Sequence, residues 1–490
     1  MRFWKIAAAA FALACAAGCR TTKEVLDDYE VALSTGNYAA PVQETAELAS
    51  KKDGSQLLWQ LLAGGAMYMA DDKGNAIAMF DSAEDAMHAN DATSVFARGG
   101  EDALAMMTND RAFDYDGGGQ DRIFTCLYKA IDYMTSGRTD AARTELNRAG
   151  QHQENWLWER RKDIAAASKK MRADADAYVR QNNAPQEGNR DAQVGTVLGD
   201  AAFRSQVQAQ CRFDPATSGN LDALAPRDYM NAYAEHVTGV FRWLNGDGAR
   251  NYLKDVAALV PGNSVAARDF AEVDSGIKPS NQVWIYVEDG LCPCREEWRV
   301  DLPLGLLPFV RRYVIYAGMA LPYLRERAHG AINWSVAAGG QNVPMYQLAN
   351  VDALLKTEYD VYMRGALTRE ITRTIVKVGV QVALGVAADA AERRHEKKGK
   401  SGNDYLALKL AQMGVATWAA TTTAADLRSW TALPKTVKVA RIDCPADGRL
   451  EVVADGQRIQ LSVQPGNNWM VFLRKPGPSA YPVVKMAKFK

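Results

Sequence analysis

The chain has 490 residues, with 58 lysines and arginines against 58 aspartates and glutamates, so no net field draws it as a whole to nucleic acid or to an anionic surface. At 48% hydrophobic and 24% charged residues it reads as a globular protein able to bury a large core, with room for two to four domains of ~100–200 residues. Its seven cysteines are scattered and form no disulfide framework.

Residues 1–18 read as a secretory leader. Met1 to Lys5 supplies two positive charges, and Ile6 to Ala14 is an apolar run too short to span a bilayer. Ala16-Ala17-Gly18-Cys19 resembles the lipobox of a bacterial lipoprotein. The resemblance implies cleavage before Cys19, acylation there, and a lasting membrane anchor, at ~0.8 kcal/mol per buried CH₂. Plain signal-peptide cleavage near the same place is the alternative. Arg20 in place of an inner-membrane retention aspartate points to a periplasm-facing outer-membrane address.

From Lys23 to about Ser275 the pattern is helical, with a recurring beat. Ala76/Phe80/Ala83, Ala142/Leu146/Ala149 and Ala249/Leu253/Val256 repeat a small–bulky–small spacing of four and three. This is the second-helix pattern of tetratricopeptide (TPR) repeats, in which small residues let paired helices approach and the bulky one fills the groove. Gly36-Asn37-Tyr38, Ser136-Gly137-Arg138 and Asn245-Gly246-Asp247-Gly248 supply the turns, so residues 19–275 read as a TPR-like α-solenoid. Tyr38, Trp59, Tyr68, Tyr128 and Trp156 are its candidate groove aromatics, with core packing as the competing role. A long polar helix over about Glu154 to Gln181 precedes a loop-rich stretch from Asn182 to Pro226; the span 182–226 reads as an irregular arm across the solenoid.

After Pro279 the period changes. Val283 to Glu288 is β-rich, Asp289-Gly290 is a hairpin signal, and Glu296 to Leu302 alternates. Tyr313 to Ala317 and Ile332 to Val336 read as two further strands. A long helix then runs from about Asn350 past Glu392, with Leu367, Ile371, Ile375, Val378 and Val382 on one face, and a second from Asn403 to Trp430 returns as a helical hairpin. Thr374 to Ala391 is apolar, but Lys377 and Asp389 interrupt it, which argues for core packing over membrane contact. From Thr436 the chain is β again, with Asp455-Gly456 joining a hairpin. The fold class expected is therefore α+β multidomain: a TPR-like solenoid over 19–275, then an α/β domain over 280–490 with a helical hairpin at 350–430 and a small C-terminal sheet at 436–490.

Val287-Glu288-Asp289-Gly290, Arg299 to Leu304, Ala320-Leu321-Pro322, Asn350-Val351-Asp352-Ala353, Ala366-Leu367-Thr368-Arg369 and Asp426 to Pro434 together resemble a family of bacterial envelope lipoproteins that joins a TPR-like half to such an α/β half. The likeness covers about the last two hundred residues. It implies an architecture and an envelope address, and carries no assigned reaction or catalytic residue.

The five histidines form no metal-ligand spacing, and no GxSxG, Walker or GxGxxG motif occurs. No metal or other cofactor is expected, and the chain is not expected to be an enzyme. Arg369, Asp426, Arg428 and Trp430 are the candidate pocket. Arg369 paired to Asp426 beside a Trp430 core anchor is one reading; the other has Arg428 holding an anionic group and Trp430 stacking on a ring. The leading expectation is a lipid-anchored scaffold gripping a protein or peptide partner in the solenoid groove. The alternative is an envelope ligand-binding protein or enzyme using the polar pocket.

Overall fold

The computed structural model describes residues 21–92, 109–112, 114–181, 190–215, 228–302, 312–338, 341–398 and 404–490. The leader and Cys19 lie outside these residues, as do 182–189 and 216–226 of the predicted arm. The architecture is mixed α+β, with three sheets and thirteen helices among the described residues.

The helical part opens with α1 (Thr22–Thr35), started by a reciprocal capping box between Thr21 and Glu24 and ended by Gly36 at φ 80°. There follow α2 (Ala39–Ala49), α3 (Gln56–Met69), α4 (Lys73–Ala92), α5 (Gly119–Thr135), α6 (Thr139–Gln181), α7 (Arg190–Gly199), α8 (Ala201–Gln208), α9 (Ala232–Leu244), α10 (Arg250–Leu259) and α11 (Ser264–Asp274). Asn231 and Asn263 cap α9 and α11 through their side-chain oxygens.

The small–bulky–small positions lie inside helix pairs. Phe80 of α4 and Leu253 of α10 are 0% exposed, and each rests on a glycine of the preceding helix. A Cβ on Gly64 would lie 2.6 Å from the Phe80 ring, and one on Gly239 would lie 2.8 Å from Leu253.

The central sheet has the order β11-β10-β1-β7-β6, from β1 (Gln282–Asp289), β6 (Tyr346–Asn350), β7 (Thr436–Asp443), β10 (Asn468–Lys475) and β11 (Val483–Phe489). Only the β1–β10 pairing is parallel among the five strands. β1 is buried along its whole length because both its faces are covered. Trp284 and Tyr286 face the helices, whereas Val283, Ile285 and Val287 face a second sheet, β5-β4-β8-β9. The latter is built from β4 (Trp334–Ala338), β5 (Gln341–Pro344), β8 (Arg449–Ala454) and β9 (Gln457–Ser462). Coverage on both sides is what an unbroken Val-Trp-Ile-Tyr-Val run requires.

One core cluster runs from Val25 to Ala487 and joins the helices to the central sheet. It contains predicted groove aromatics. Trp59, Tyr68 and Tyr128 are at most 4% exposed, Trp156 is 5% exposed, and Tyr38 packs against the same cluster. The groove assignment is corrected accordingly: α5 and α9 turn their apolar faces to the sheet, with Tyr128 bonded to Glu288 of β1 and Phe241 edge-on to Phe489 of β11. The faces of α5 and α9 are thus covered by the chain's own strands, while Trp156 packs against Gly119 and Tyr229.

Local expectations are corrected too. The Asp289-Gly290 turn does not make a hairpin, since β2 (Cys294–Asp301) pairs with β3 (Gly318–Arg325) instead. Tyr313 to Ala317 is not a strand: the Gln381 side chain accepts the backbone N–H groups of Ile315 and Tyr316 at 2.9 and 3.1 Å. The polar helix is continuous with the second repeat helix in the 43-residue α6. The described part of the arm, α7 and α8, packs on β2, β3 and the long helix α12 (Val351–Lys398) rather than across the helix pairs. The hairpin's second helix, α13 (Asp404–Thr422), stops eight residues early, and the C-terminal strands, expected as one small sheet, divide between the central and the second sheet.

Candidate functional site

Arg369 and Arg373 stand one turn apart on α12, with Tyr362 two turns before. All three converge on Asp110 from a short 3₁₀ turn. Arg369 Nη2 lies 2.5 Å and Arg373 Nη1 2.7 Å from its carboxylate, and the Tyr362 hydroxyl donates at 3.0 Å. Glu370 pairs with Arg373 from the same helix. Burial works against ionisation of Asp110, but the two guanidiniums outweigh it and hold the carboxyl well below its usual range. Lys377, one turn further on, is pulled down to about 8 by burial, opposed by Glu370.

The predicted pocket residues are thus brought near one another but paired otherwise than expected. Arg369 meets Asp110, not Asp426. Arg428 grips Asp426 at 2.8 and 3.0 Å, and also donates to the carbonyl oxygens of Gly54 at 2.7 Å and Asp110 at 3.4 Å. Trp430 is 1% exposed, 5.7 Å from Phe80 and edge-on to Tyr128 at 6.0 Å. It has no face left for a sugar ring, and Arg428 is already bound to an internal carboxylate. Asp110, Tyr362 and Arg373 escaped sequence reasoning. The Arg-x₃-Arg spacing on an apolar helix was the available signal for Arg373, whereas nothing local marks Asp110.

Three other polar centres are also internal. Glu288 accepts from the hydroxyls of Tyr128 at 3.0 Å and Tyr233 at 2.8 Å. His236 bridges Asp269 at 2.8 Å and Tyr286 at 3.0 Å, and Asp269 takes Arg441 at 2.7 Å; His236 and Asp269 are 0% exposed. Glu84, Cys126 and Glu145 place donor atoms within 4.8 Å of one another, as a metal site would. The Lys129 ammonium sits among them, however, 2.7 Å from Glu84, 3.1 Å from Glu145 and 2.7 Å from Asp81. Burial and the neighbouring carboxylates push the Cys126 thiol well above its usual range, so these residues fit their own lysine rather than a metal. The five described cysteines are free.

The Gly117-Gly118-Gly119 run opens α5, and there the Gln120 N–H donates to the Glu358 carboxylate at 2.7 Å. A Cβ on Gly119 would meet Trp156 at 2.3 Å and Glu358 at 2.7 Å. The glycines therefore admit an anion to a helix N-terminus, and that anion belongs to α12.

A cleft of about 550 Å³ opens between the start of α9, the end of α10, β6 and the first half of α12, within the ~300–1,000 Å³ of ligand pockets. Its floor is apolar, with Leu348, Leu354, Val361 and Val260. Its rim is polar. Arg212 is 52% exposed and bonds Asp360 at 2.7 Å and Thr357 at 3.0 Å, while the Arg364 guanidinium lies 4.3 Å over the Phe213 ring. The arginines were invisible as a pair in the sequence because they stand 152 positions apart.

Comparison of the chain with family models, curated proteins and solved structures finds no match.

Proposed function

We propose that this chain is a lipid-tethered protein of the bacterial envelope that binds a protein or peptide partner without catalysing a reaction, and that it does so in the cleft beside α12. The observation that carries the reading is the contrast between that cleft and the other polar centres. Arg369, Asp426, Arg428, Glu288 and His236 are buried, each held by internal partners, whereas the cleft is open to solvent, with Leu348, Leu354, Val361 and Val260 among its lining and the half-exposed Arg212, bonded to Asp360, at its rim. An extended segment with apolar side chains for the lining and polar groups for the rim suits such a wall.

The TPR-like relationship is part of this proposal. The glycine-seated Phe80 and Leu253 support it, with the inner face of the repeats given over to the sheet instead of a partner. The tether rests on the Cys19 motif. Thr21 caps α1 two residues after Cys19, so an acyl group there would leave only ~7 Å of chain between bilayer and first helix.

The test is site-directed photocrosslinking in the native envelope. A photoreactive residue replacing Ala353, exposed on the cleft wall, should yield one reproducible protein adduct, and one replacing Val31, 61% exposed elsewhere, should yield none. Equal adducts from both positions, or none from Ala353, would defeat the cleft assignment. Cys19→Ser should move the protein from the membrane to the soluble fraction; unchanged fractionation would defeat the tether. A small-molecule ligand in the same cleft is the second reading, favoured by its volume of about 550 Å³, and native mass spectrometry of the purified protein would reveal it as an added mass lost in Val361→Trp.

A further inference from the structure

The outer half of α12 pairs with α13 as a two-helix arm. Gln412 of α13 donates to the carbonyl of Gln381 at 3.1 Å, and the Gly385 backbone leaves room for Gln412 and Tyr313. The other side of α13 faces away from this packing. Leu406, Leu410 and Met413 are 47, 59 and 58% exposed, and Val386 of α12 is 46% exposed. Leu406, Leu410, Met413, Thr417 and Thr421 recur at helical spacing, and all are exposed. In nineteen residues α13 carries only two charged side chains, Asp404 and Lys409, and Lys409, at the edge of that stripe, is paired to Glu392 of α12. A surface helix of a soluble protein ordinarily puts its charges there.

At the end of the arm the charge changes. Arg393 and Arg394 are exposed, Lys409 lies 2.9 Å from Glu392, and the sequence from Glu392 to Lys409 holds six Lys/Arg against three Asp/Glu in a chain that is neutral overall.

We propose that this arm docks on an anionic phospholipid surface, with Leu406, Leu410 and Met413 seated among the acyl chains near the headgroups and Arg393 and Arg394 at the arm's end on the lipid phosphates. An uncharged stripe bordered by excess basic residues is the amphipathic pattern of interfacial helices. Charge decides between this occupant and a second copy of the chain, because two such basic tips repel when arms pair side by side, whereas a phosphate layer neutralises them. The arm lies on the surface and does not cross it: Asp389 bonds the Tyr313 hydroxyl at 2.9 Å, and Arg312 beside it is 77% exposed, a polar flank that hydrocarbon would not accept. The inference is independent of Cys19 and of the cleft.

Vesicle sedimentation tests it with the chain from Arg20 onward, which holds every described residue and no acylation site. Vesicles of equal parts phosphatidylglycerol and phosphatidylcholine should bind the protein, and pure phosphatidylcholine vesicles should bind it far less. R393Q/R394Q should weaken binding by about thirtyfold, and L410E/M413E by at least about tenfold, both with unchanged circular dichroism. Ile332→Glu, which removes an exposed apolar residue outside the arm (75% exposed), should change nothing. No binding to the anionic vesicles, equal binding to both kinds, or binding undiminished in the two double variants would overturn the proposal. A concentration-dependent dimer that L410E/M413E dissociates would overturn it in favour of a second copy.

Discussion

Asp110 sits between two guanidiniums and a phenol at 8% exposure, where its charge matters more to the fold than any single apolar contact around it. Removing one partner of such a cluster strands the others, whereas replacing all of them with apolar groups is often neutral. Asp110→Ala should therefore cost about 3–5 kcal/mol, read as a lowered urea midpoint at unchanged slope. The quadruple variant D110L/R369M/E370M/R373M, which also removes Glu370, the other partner of Arg373, should recover most of that loss; failure to recover would mean the charges also fix the conformation of α12. Glu235 makes a pH-dependent case. Burial, with Asp255 and Glu154 adding to it and Gln153 opposing, raises its carboxyl to about 7 from 4.5. Between those values the folded state keeps a proton that the unfolded chain has lost, so its contribution is fully present below about pH 4.5 and is lost as pH rises through 7. Glu235→Gln does not titrate. Its stability relative to the parent should rise by about 3 kcal/mol between pH 4.5 and pH 8, and a difference that stays flat with pH would contradict the assignment.

Helix pairs are where the sequence was most legible, because close approach needs particular residues at particular spacings. Gly64→Ala drives a methyl to 2.6 Å from Phe80 and should cost about 1–3 kcal/mol. Gly150→Ala, inside α6 with nothing within 4 Å, should instead gain about 0.5–1 kcal/mol from helix propensity; thermal melts of the two variants should move in opposite directions. Strand identities were equally readable in β1, β8, β9 and β10, and the Asp455-Gly456 turn has φ of 46° and 87°, as a two-residue hairpin loop demands. Strand partners were not readable. β1 takes its neighbours from β7 and β10, some 150 to 185 residues later, and nothing in Asp289-Gly290 announces that Gly290 N–H will bond Lys475 O at 2.8 Å. Tyr313 to Ala317 has strand composition, but its N–H groups are satisfied by an amide side chain, a substitute that no periodicity reveals. The candidate site was half legible for the same reason: Arg369, Asp426 and Arg428 were found, while Asp110, more than 250 residues away from Arg369, and the Arg212–Arg364 pair depend on tertiary contact alone.

Taken as a whole, the molecule is layered: paired helices, a central sheet, and a second sheet behind it. The helices are tied to the sheet by buried polar contacts as well as by apolar area. Tyr128 and Tyr233 reach Glu288, His236 reaches Tyr286, and Lys485 of β11 pairs with Asp132 of α5 at 2.7 Å. A free solenoid would fold without the strands, because each repeat needs only its neighbours. These helices have spent their inner face on the sheet, so residues 20–276 expressed alone would expose Tyr128, Tyr233, Phe241 and Trp243 and leave Asp132 without its lysine. That fragment should be helical by circular dichroism yet bind 8-anilinonaphthalene-1-sulfonate and unfold without a sharp transition, whereas the chain from Arg20 to Lys490 should lose its helical and aromatic signals together at one midpoint. A monomeric fragment with a cooperative melt and no dye binding would show that the helical half is an autonomous unit and that its sheet-facing surface is available to a partner after all.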